Sequence, residues 1–472
     1  MVYVSLNYYL FVAALVAVYY FLPVKYRWLA LLAGSLGFYG ILCPAGFPLF
    51  LASIVLGWLA GFGLDCLKEK GRPRLRQGLL LAGILLALLP LLAAKFPGLR
   101  APWLPLMGLS FYSLQTVAYL VDVYQGKIEA QRNPLYYALF ASFFPQIIQG
   151  PIPRYEQLGP QLLEGHLFDS RNFSKGLQLI VWGFFLKFML ADKAGVFVDA
   201  VFDGFPIRQG CYILVAGVLY SLQLYTDFLA CVTLSQGVAE LFGIRLARNF
   251  DHPYWSRSIR EFWRRWHISL STWLRDYIYI PLGGSRRGRL LKYINLIAVF
   301  AVSGLWHGLG WKFLVWGLIH AVYQITGDLL GPLKAKIYKF LSIPKDSLAQ
   351  RAAQTAGTFF WVMLAWIVFR ADTLETAVNM IRSMFGFYNP WILYDGSLFD
   401  LGLSGREWFL LLMATVALWA IGLRQRLGGV RDWILEQHMI IRWLIYFTAI
   451  GLIWLYGTYG FGFAQDFIYG GF

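Results

Sequence analysis

The sequence predicts an all-α, multi-pass integral membrane protein with about 11 transmembrane helices plus re-entrant and interfacial ones. Three observations carry that reading. The chain is 58% hydrophobic and only 14% charged, whereas a soluble globular chain carries about 25% charged residues. Its apolar residues come in blocks of membrane length. Backbone polar groups in lipid must bond within their own segment, which selects helices over open sheets.

The first 24 residues carry no charge. A secretory signal begins with a positive segment, so this stretch reads as a retained transmembrane helix. Further candidate spans lie near residues 28–42, 49–64, 77–94, 101–121, 135–150, 176–191, 209–240, 293–310, 312–328, 353–369, 408–423 and 443–463. Several fall short of the roughly 20 apolar residues a crossing needs and are expected to be re-entrant or deeply buried. The run Phe144-Pro-Gln-Ile-Ile-Gln-Gly-Pro-Ile-Pro-Arg154 holds three prolines and cannot be regular helix throughout. Irregular backbone at membrane depth belongs beside a protein-lined cavity, where Gln146, Gln149 and Arg154 would offer donors. A kinked helix end at the interface is the plainer alternative. No linker or low-complexity tract divides the chain, so residues 1–472 read as one membrane domain.

The net charge is +16. Its basic residues cluster at the ends of apolar blocks, so the positive-inside rule explains them and no nucleic-acid partner is needed. Lys25 and Arg27 follow the first span, and Lys68, Lys70, Arg72, Arg74 and Arg76 follow the third. The N-terminus is therefore predicted outside a cell membrane, with those two loops cytoplasmic; Lys95 and Arg100 fall on the opposite side. The Arg-dense segment from Leu241 to Lys292 is predicted cytoplasmic by the same rule. The cysteines Cys43, Cys66, Cys211 and Cys231 lie singly in or beside apolar blocks and suggest packing rather than a disulfide framework or metal site.

Within the basic segment, Ser258 and Glu261 have capping-box spacing and mark a helix start. On a continuous helix, Ile259, Phe262, Trp263, Trp266, Leu270, Trp273, Leu274 and Tyr277 share one face, and Arg260, Arg264, Ser271 and Arg275 the other. Such a helix suits the membrane surface. His267 projects near the border of the two faces, where it can look into a cavity roofed by the helix or bond to headgroups. The Arg face suits lipid phosphate, an acidic partner or a phosphorylated donor.

His307 lies 40 residues later in Ser303-Gly-Leu-Trp-His-Gly-Leu-Gly310, inside the run Tyr293–Trp311, which contains no Asp, Glu, Lys or Arg. Titratable groups at membrane depth are costly and tend to be functional. Gly304, Gly308 and Gly310 would let helices approach closely, and Trp306 and Trp311 would supply walls. A neutral imidazole there can take a proton from a hydroxyl while its oxygen attacks an activated carbonyl. A core histidine satisfied by a backbone carbonyl is the alternative. Asp227 is the one charge between Gln209 and Ala239. It reads either as a group facing a cavity or as an acid paired with a neighbouring Tyr or Ser. The tetrapeptide Tyr-Ser-Leu-Gln occurs at 112–115 and 220–223, each copy followed by an acid, Asp122 or Asp227. Four residues are weak support for an internal repeat. No phosphate-binding loop, His-Glu-x-x-His motif or Gly-x-Ser-x-Gly context is present. A proton-coupled exporter of envelope building blocks is the alternative from a different class.

Six stretches together resemble the membrane-bound O-acyltransferases, in particular the bacterial alginate O-acetyltransferase-like branch and its D-alanyl-transferring relatives. They are Leu109-Ser-Phe-Tyr-Ser-Leu-Gln115, Phe144-Pro-Gln-Ile-Ile-Gln-Gly-Pro-Ile152, Asn249-Phe-Asp-His-Pro-Tyr-Trp255, the Arg/Trp run from Glu261 to Tyr277, Ile280-Pro-Leu-Gly-Gly284 and Gly304-Leu-Trp-His-Gly308. The resemblance implies that His307 is the essential histidine and His267 the second one. Arg260, Arg264, Ser271, Gln146, Gln149, Asp227 and Trp306 would then border a substrate or donor funnel. It further implies a ring of tilted helices around a thinned centre, with a cytoplasmic funnel leading towards the histidine. The donor would be an acyl thioester, acetyl-coenzyme A or an acyl carrier protein, with no bound cofactor. The acceptor would be a hydroxyl of an envelope polysaccharide, reached directly or through an extracellular acetyltransferase-type partner. D-alanyl transfer to teichoic acid, or O-acylation of lipid or peptidoglycan, keeps the chemistry and changes the substrates. The chain departs from the alginate enzymes at Gln149-Gly-Pro-Ile-Pro-Arg154, where Ala-Gly-Pro is commoner. Its length is closer to the alginate branch than to the shorter D-alanyl branch.

Overall fold

The computed structural model describes residues 3–96 and 107–459, and every regular element among them is helical. Arg100, the start of the anticipated span 101–121 and the end of 443–463 lie outside the described residues.

Among the described residues, seven helices are long and apolar enough to cross a membrane: Phe47–Glu69, Pro73–Lys95, Cys211–Leu241, Arg289–His307, Leu348–Arg370, Gly405–Arg426 and Met439–Tyr456. Trp311–Leu329 and Gly331–Phe340, bent by 53° at their junction, make an eighth if they form one span. Other anticipated crossings are shorter helices. Leu6–Phe21 has 16 residues and Leu109–Gln125 has 17, each under the roughly 30 Å that an upright crossing needs at about 1.5 Å per residue. The span anticipated at 135–150 is helical only over Pro134–Ser142, and turns replace helix through the proline-rich run, as its three prolines require.

Helix starts follow local chemistry. Ser5 and Ser347 hydroxyls accept from the backbone N–H of Tyr8 and Gln350. Ser404 and Glu407 form a reciprocal capping box. Pro73 and Pro134 open their helices, where the missing N–H leaves no bond unmade.

The helices pack into two compact units. Of the described residues, the first comprises 3–96, 107–183 and 231–247, and the second 184–230 and 248–459. In the first, the helix Leu109–Gln125 is buried along nearly its whole length. Gly57 and Gly61 bring Phe47–Glu69 against Tyr137 and Tyr119, whose nearest atoms would lie 2.5 Å from an added Cβ at either glycine. In the second, Arg289–His307 and Trp311–Leu329 form an antiparallel hairpin. A Cβ on Gly304 would lie 2.3 Å from the Phe313 carbonyl oxygen, and one on Gly317 2.2 Å from that of Phe300. These two glycines permit the close crossing of the helix that carries His307.

Candidate active site

The predicted continuous helix over Ser258–Tyr277 is broken, and the break is at His267. Helix Ile259–Arg265 ends, Trp266 is extended, and His267 adopts φ 44°, ψ 56° before helix Ile268–Leu274 and a π-helical turn Arg275–Tyr279. Ser258 caps the first helix, its hydroxyl accepting from the Glu261 N–H. The Glu261 carboxylate takes the Arg257 N–H instead of closing a full capping box. The left-handed conformation at His267 is uncommon outside glycine, with His among the residues that tolerate it better. Asn249 offsets its cost with bonds to the new helix start: its carbonyl accepts from Ile268 N–H at 2.9 Å and its side-chain oxygen from Ser269 N–H at 3.0 Å. Ser271 donates to the Trp266 carbonyl at 3.1 Å, serving an acceptor beside the break.

The consequence is a buried imidazole. His267 is 1% exposed, inside the protein rather than among headgroups. Burial pushes its pKa down to about 3, so the ring is neutral at physiological pH. Its ring centroid lies 4.8 Å from that of Phe228 and 6.0 Å from that of Trp306. His307, 4% exposed, ends its helix. Its ring lies 4.8 Å from Trp306, 5.1 Å from Trp316 and 5.3 Å from Phe369. Both histidines thus contact the one indole of Trp306. Trp311 is not a wall of this site: it begins the next helix and is 77% exposed. Gly308 packs on the Phe313 ring, whereas Gly310 has open space around it.

The other predicted residues have these surroundings. Arg260 is exposed and pairs with Asp328, which also binds Lys292. Arg264 is exposed. Gln149 is buried, and its side-chain oxygen accepts from the Cys231 thiol at 3.0 Å. Gln146 is buried and lines a cleft with Pro151, Pro153, Gln157, Leu158, Arg245, Leu246 and Ala247. Asp227 is a paired acid, but its charge partner is a lysine, where a Tyr or Ser was one of the two alternatives. It meets Lys187 at 2.8 Å, and Lys187 meets Asp192 at 2.8 Å, all three side chains at most 3% exposed. The two Tyr-Ser-Leu-Gln copies differ in their acids, since Asp122 pairs with Lys127 at 3.3 Å.

Besides Asn249, two further residues carry bonds that the sequence did not point to. His320, fully buried, accepts at Nδ1 from Trp263 Nε1–H at 3.3 Å. Its signal was the one used for His307, a lone imidazole in an apolar run. Lys187 is a lone cation in the apolar run 176–191, and Asp227 a lone acid in another; pairing them was the inference available.

Comparison with known proteins identifies the family. The membrane-bound O-acyltransferase family profile matches residues 130–338, which include His267, His307 and His320. A probable alginate O-acetylase of Pseudomonas fluorescens is 34% identical over 420 residues, covering 88% of this chain and 81% of that protein. A peptidoglycan O-acetyltransferase of Helicobacter pylori is 36% identical over 306 residues, 59% of this chain and 56% of its own. A teichoic acid D-alanyltransferase of Bacillus subtilis is 26% identical over 325 residues, 64% and 79% respectively. With an all-helical frame and this extent of identity, the chain belongs to the membrane-bound O-acyltransferase family and is an O-acyltransferase.

Proposed function

We propose that this enzyme moves an acetyl group from a cytoplasmic thioester, coenzyme A or a carrier protein, to a hydroxyl of an envelope polysaccharide outside the bacterial cytoplasmic membrane. The observation that carries the reading is the burial of His267 and His307 against the same indole, Trp306. His307 acts as general base. Its imidazole takes the proton of the acceptor hydroxyl as that oxygen attacks the thioester carbonyl. The tetrahedral intermediate collapses with loss of the C–S bond, and the proton passes to the leaving thiolate, giving an ester and a free thiol. His267, neutral and held by its backbone conformation, positions substrate or shares the proton transfer. The exposed Arg264 serves an acidic donor; Arg260 is occupied by Asp328.

The polymers named for the relatives support an envelope acceptor: alginate for the Pseudomonas protein and peptidoglycan for the Helicobacter protein. The second keeps peptidoglycan O-acetylation open as the same chemistry on another polymer. A partner protein on the outer face would complete delivery to the polymer. An exporter reading is set aside by family membership.

Mass spectrometry of envelope polymers from cells with and without the protein identifies the acceptor. Loss of O-acetyl groups from one polysaccharide is the expected result, and unchanged acylation of every polymer contradicts the proposal. Thiol release from acetyl-coenzyme A by proteoliposomes, supplied with that polymer, checks the donor.

A further inference from the structure

We propose that His320 is a positioning residue for the histidine pair, acting through its hydrogen bond to Trp263. The inference rests on the proposed use of His307 and His267, but assigns a role that use does not require. His320 is fully buried in the helix Trp311–Leu329. Its Nδ1 accepts from Trp263 Nε1–H at 3.3 Å, so the ring proton sits on Nε2. A buried imidazole among aromatic rings is a costly choice for packing alone, because a Phe or Leu would fill the volume without a polar atom to satisfy.

The surroundings show what the bond ties together. Trp263 lies on helix Ile259–Arg265, four residues before His267. On the other side of His320, the ring of Trp316 lies 5.2 Å from it and 5.1 Å from His307. Rings therefore run in contact from Trp263 through His320 and Trp316 to His307, and from there through Trp306 to His267. The hydrogen bond joins the helix that delivers His267 to the hairpin that carries His307. It fixes where the first helix stops relative to the second, and with it the separation of the two imidazoles. Dispersion among the rings is non-directional; a hydrogen bond has a preferred distance and angle and sets register.

The test uses substitutions that separate shape from bonding. Asn places its Oδ1 close to the position of His Nδ1 and can accept from Trp263, whereas Leu cannot. His320→Asn, His320→Leu, Trp263→Phe and the Trp263→Phe/His320→Leu double variant are compared with His307→Ala in whole cells. The rate of ester formation on the envelope polymer is read at matched protein levels, with thermal unfolding in detergent as the folding control. His320→Leu and Trp263→Phe are each expected to lower the rate about tenfold, since sub-ångström to ångström misplacement costs up to about a hundredfold. His320→Asn should recover to within about threefold of wild type, and the double variant should be no worse than either single change, because both remove one bond. Wild-type rate in His320→Leu overturns the proposal. So does failure of Asn to rescue, or multiplication of the two single effects. If His320→Leu does not fold, Trp263→Phe with His320→Asn decides the same question. Retention of activity by His307→Ala would instead sink the catalytic assignment, a result distinct from any in the His320 series.

Discussion

His267 shows how one backbone conformation changes what a side chain can do. On a continuous helix it would project at the border of the apolar and polar faces; at φ 44° it is buried against Phe228 and Trp306. Its pKa is held at about 3 against an ordinary 6.5 by burial. On acidification the unfolded chain therefore takes up the proton first. Stability is full above about pH 6.5 and falls as the pH drops from there towards about 3. Unfolding measured in detergent between about pH 6 and pH 4 should show the wild type losing about 2 kcal/mol more than His267→Asn, since one pKa unit is worth about 1.4 kcal/mol. Asn is chosen because it tolerates the left-handed conformation. Parallel pH profiles would show that His267 is protonated freely in the folded state. The break could not be read from helix periodicity, because the pattern of Ile259, Phe262 and Trp266 runs on unbroken into Leu270 and Trp273. What ends the helix is a tertiary partner, Asn249, 18 residues upstream. Asn249→Ala should cost about 1–2 kcal/mol, the range for losing a helix cap, and Asn249→Asp should keep most of it. Equal unfolding of all three proteins would remove Asn249 as the cap.

Among the elements, the hairpin of Arg289–His307 and Trp311–Leu329 was legible from its glycines, and the π-helical turn Leu186–Ala191 was not. Glycines in an apolar run announce close approach, but their partners must be seen. Gly317 faces the Phe300 carbonyl oxygen, whereas a Cβ on Gly327 of the same helix would meet nothing within 4 Å. Gly317→Ala should destabilise by about 1–3 kcal/mol through overpacking, while Gly327→Ala should be neutral or stabilising by up to about 1 kcal/mol. Thermal unfolding of the two variants checks the contrast, and equal effects would contradict the packing account. The π turn bonds the Asp192 N–H to the Lys187 carbonyl, five residues back. That spacing aligns Lys187 and Asp192 side chains that an α-helix would turn away from each other. No sequence period announces a single inserted residue of this kind. Lys187→Met leaves two buried carboxylates facing each other and should cost roughly 3–5 kcal/mol. The Lys187→Met/Asp192→Asn/Asp227→Asn triple variant should recover most of that, and a triple variant as unstable as the single one would show that packing, not charge, is at stake.

For the molecule as a whole, composition and block length pointed to membrane-crossing helices, and the two histidines in contrasting settings pointed to the chemistry. Among the described residues seven or eight helices have crossing length, against about 11 spans anticipated for the chain. Apolar content alone does not separate a crossing from a short buried helix such as Leu109–Gln125, whose apolar face is covered by protein. His267, His307 and Trp306 were candidates from the sequence because a histidine stands out in an apolar or an Arg/Trp-rich run. His320 and Lys187 carried the same kind of signal, a lone polar group in an apolar run, but what they bond to, like the role of Asn249, is defined by partners distant in the chain. The central claim is that His307 carries the proton transfer of acyl transfer to an envelope polymer. Its most direct measurement is the O-acetyl content of that polymer, by mass spectrometry, in cells carrying His307→Ala at wild-type protein level. Loss of O-acetylation with intact folding is the predicted result; O-acetylation at the wild-type level would contradict the account.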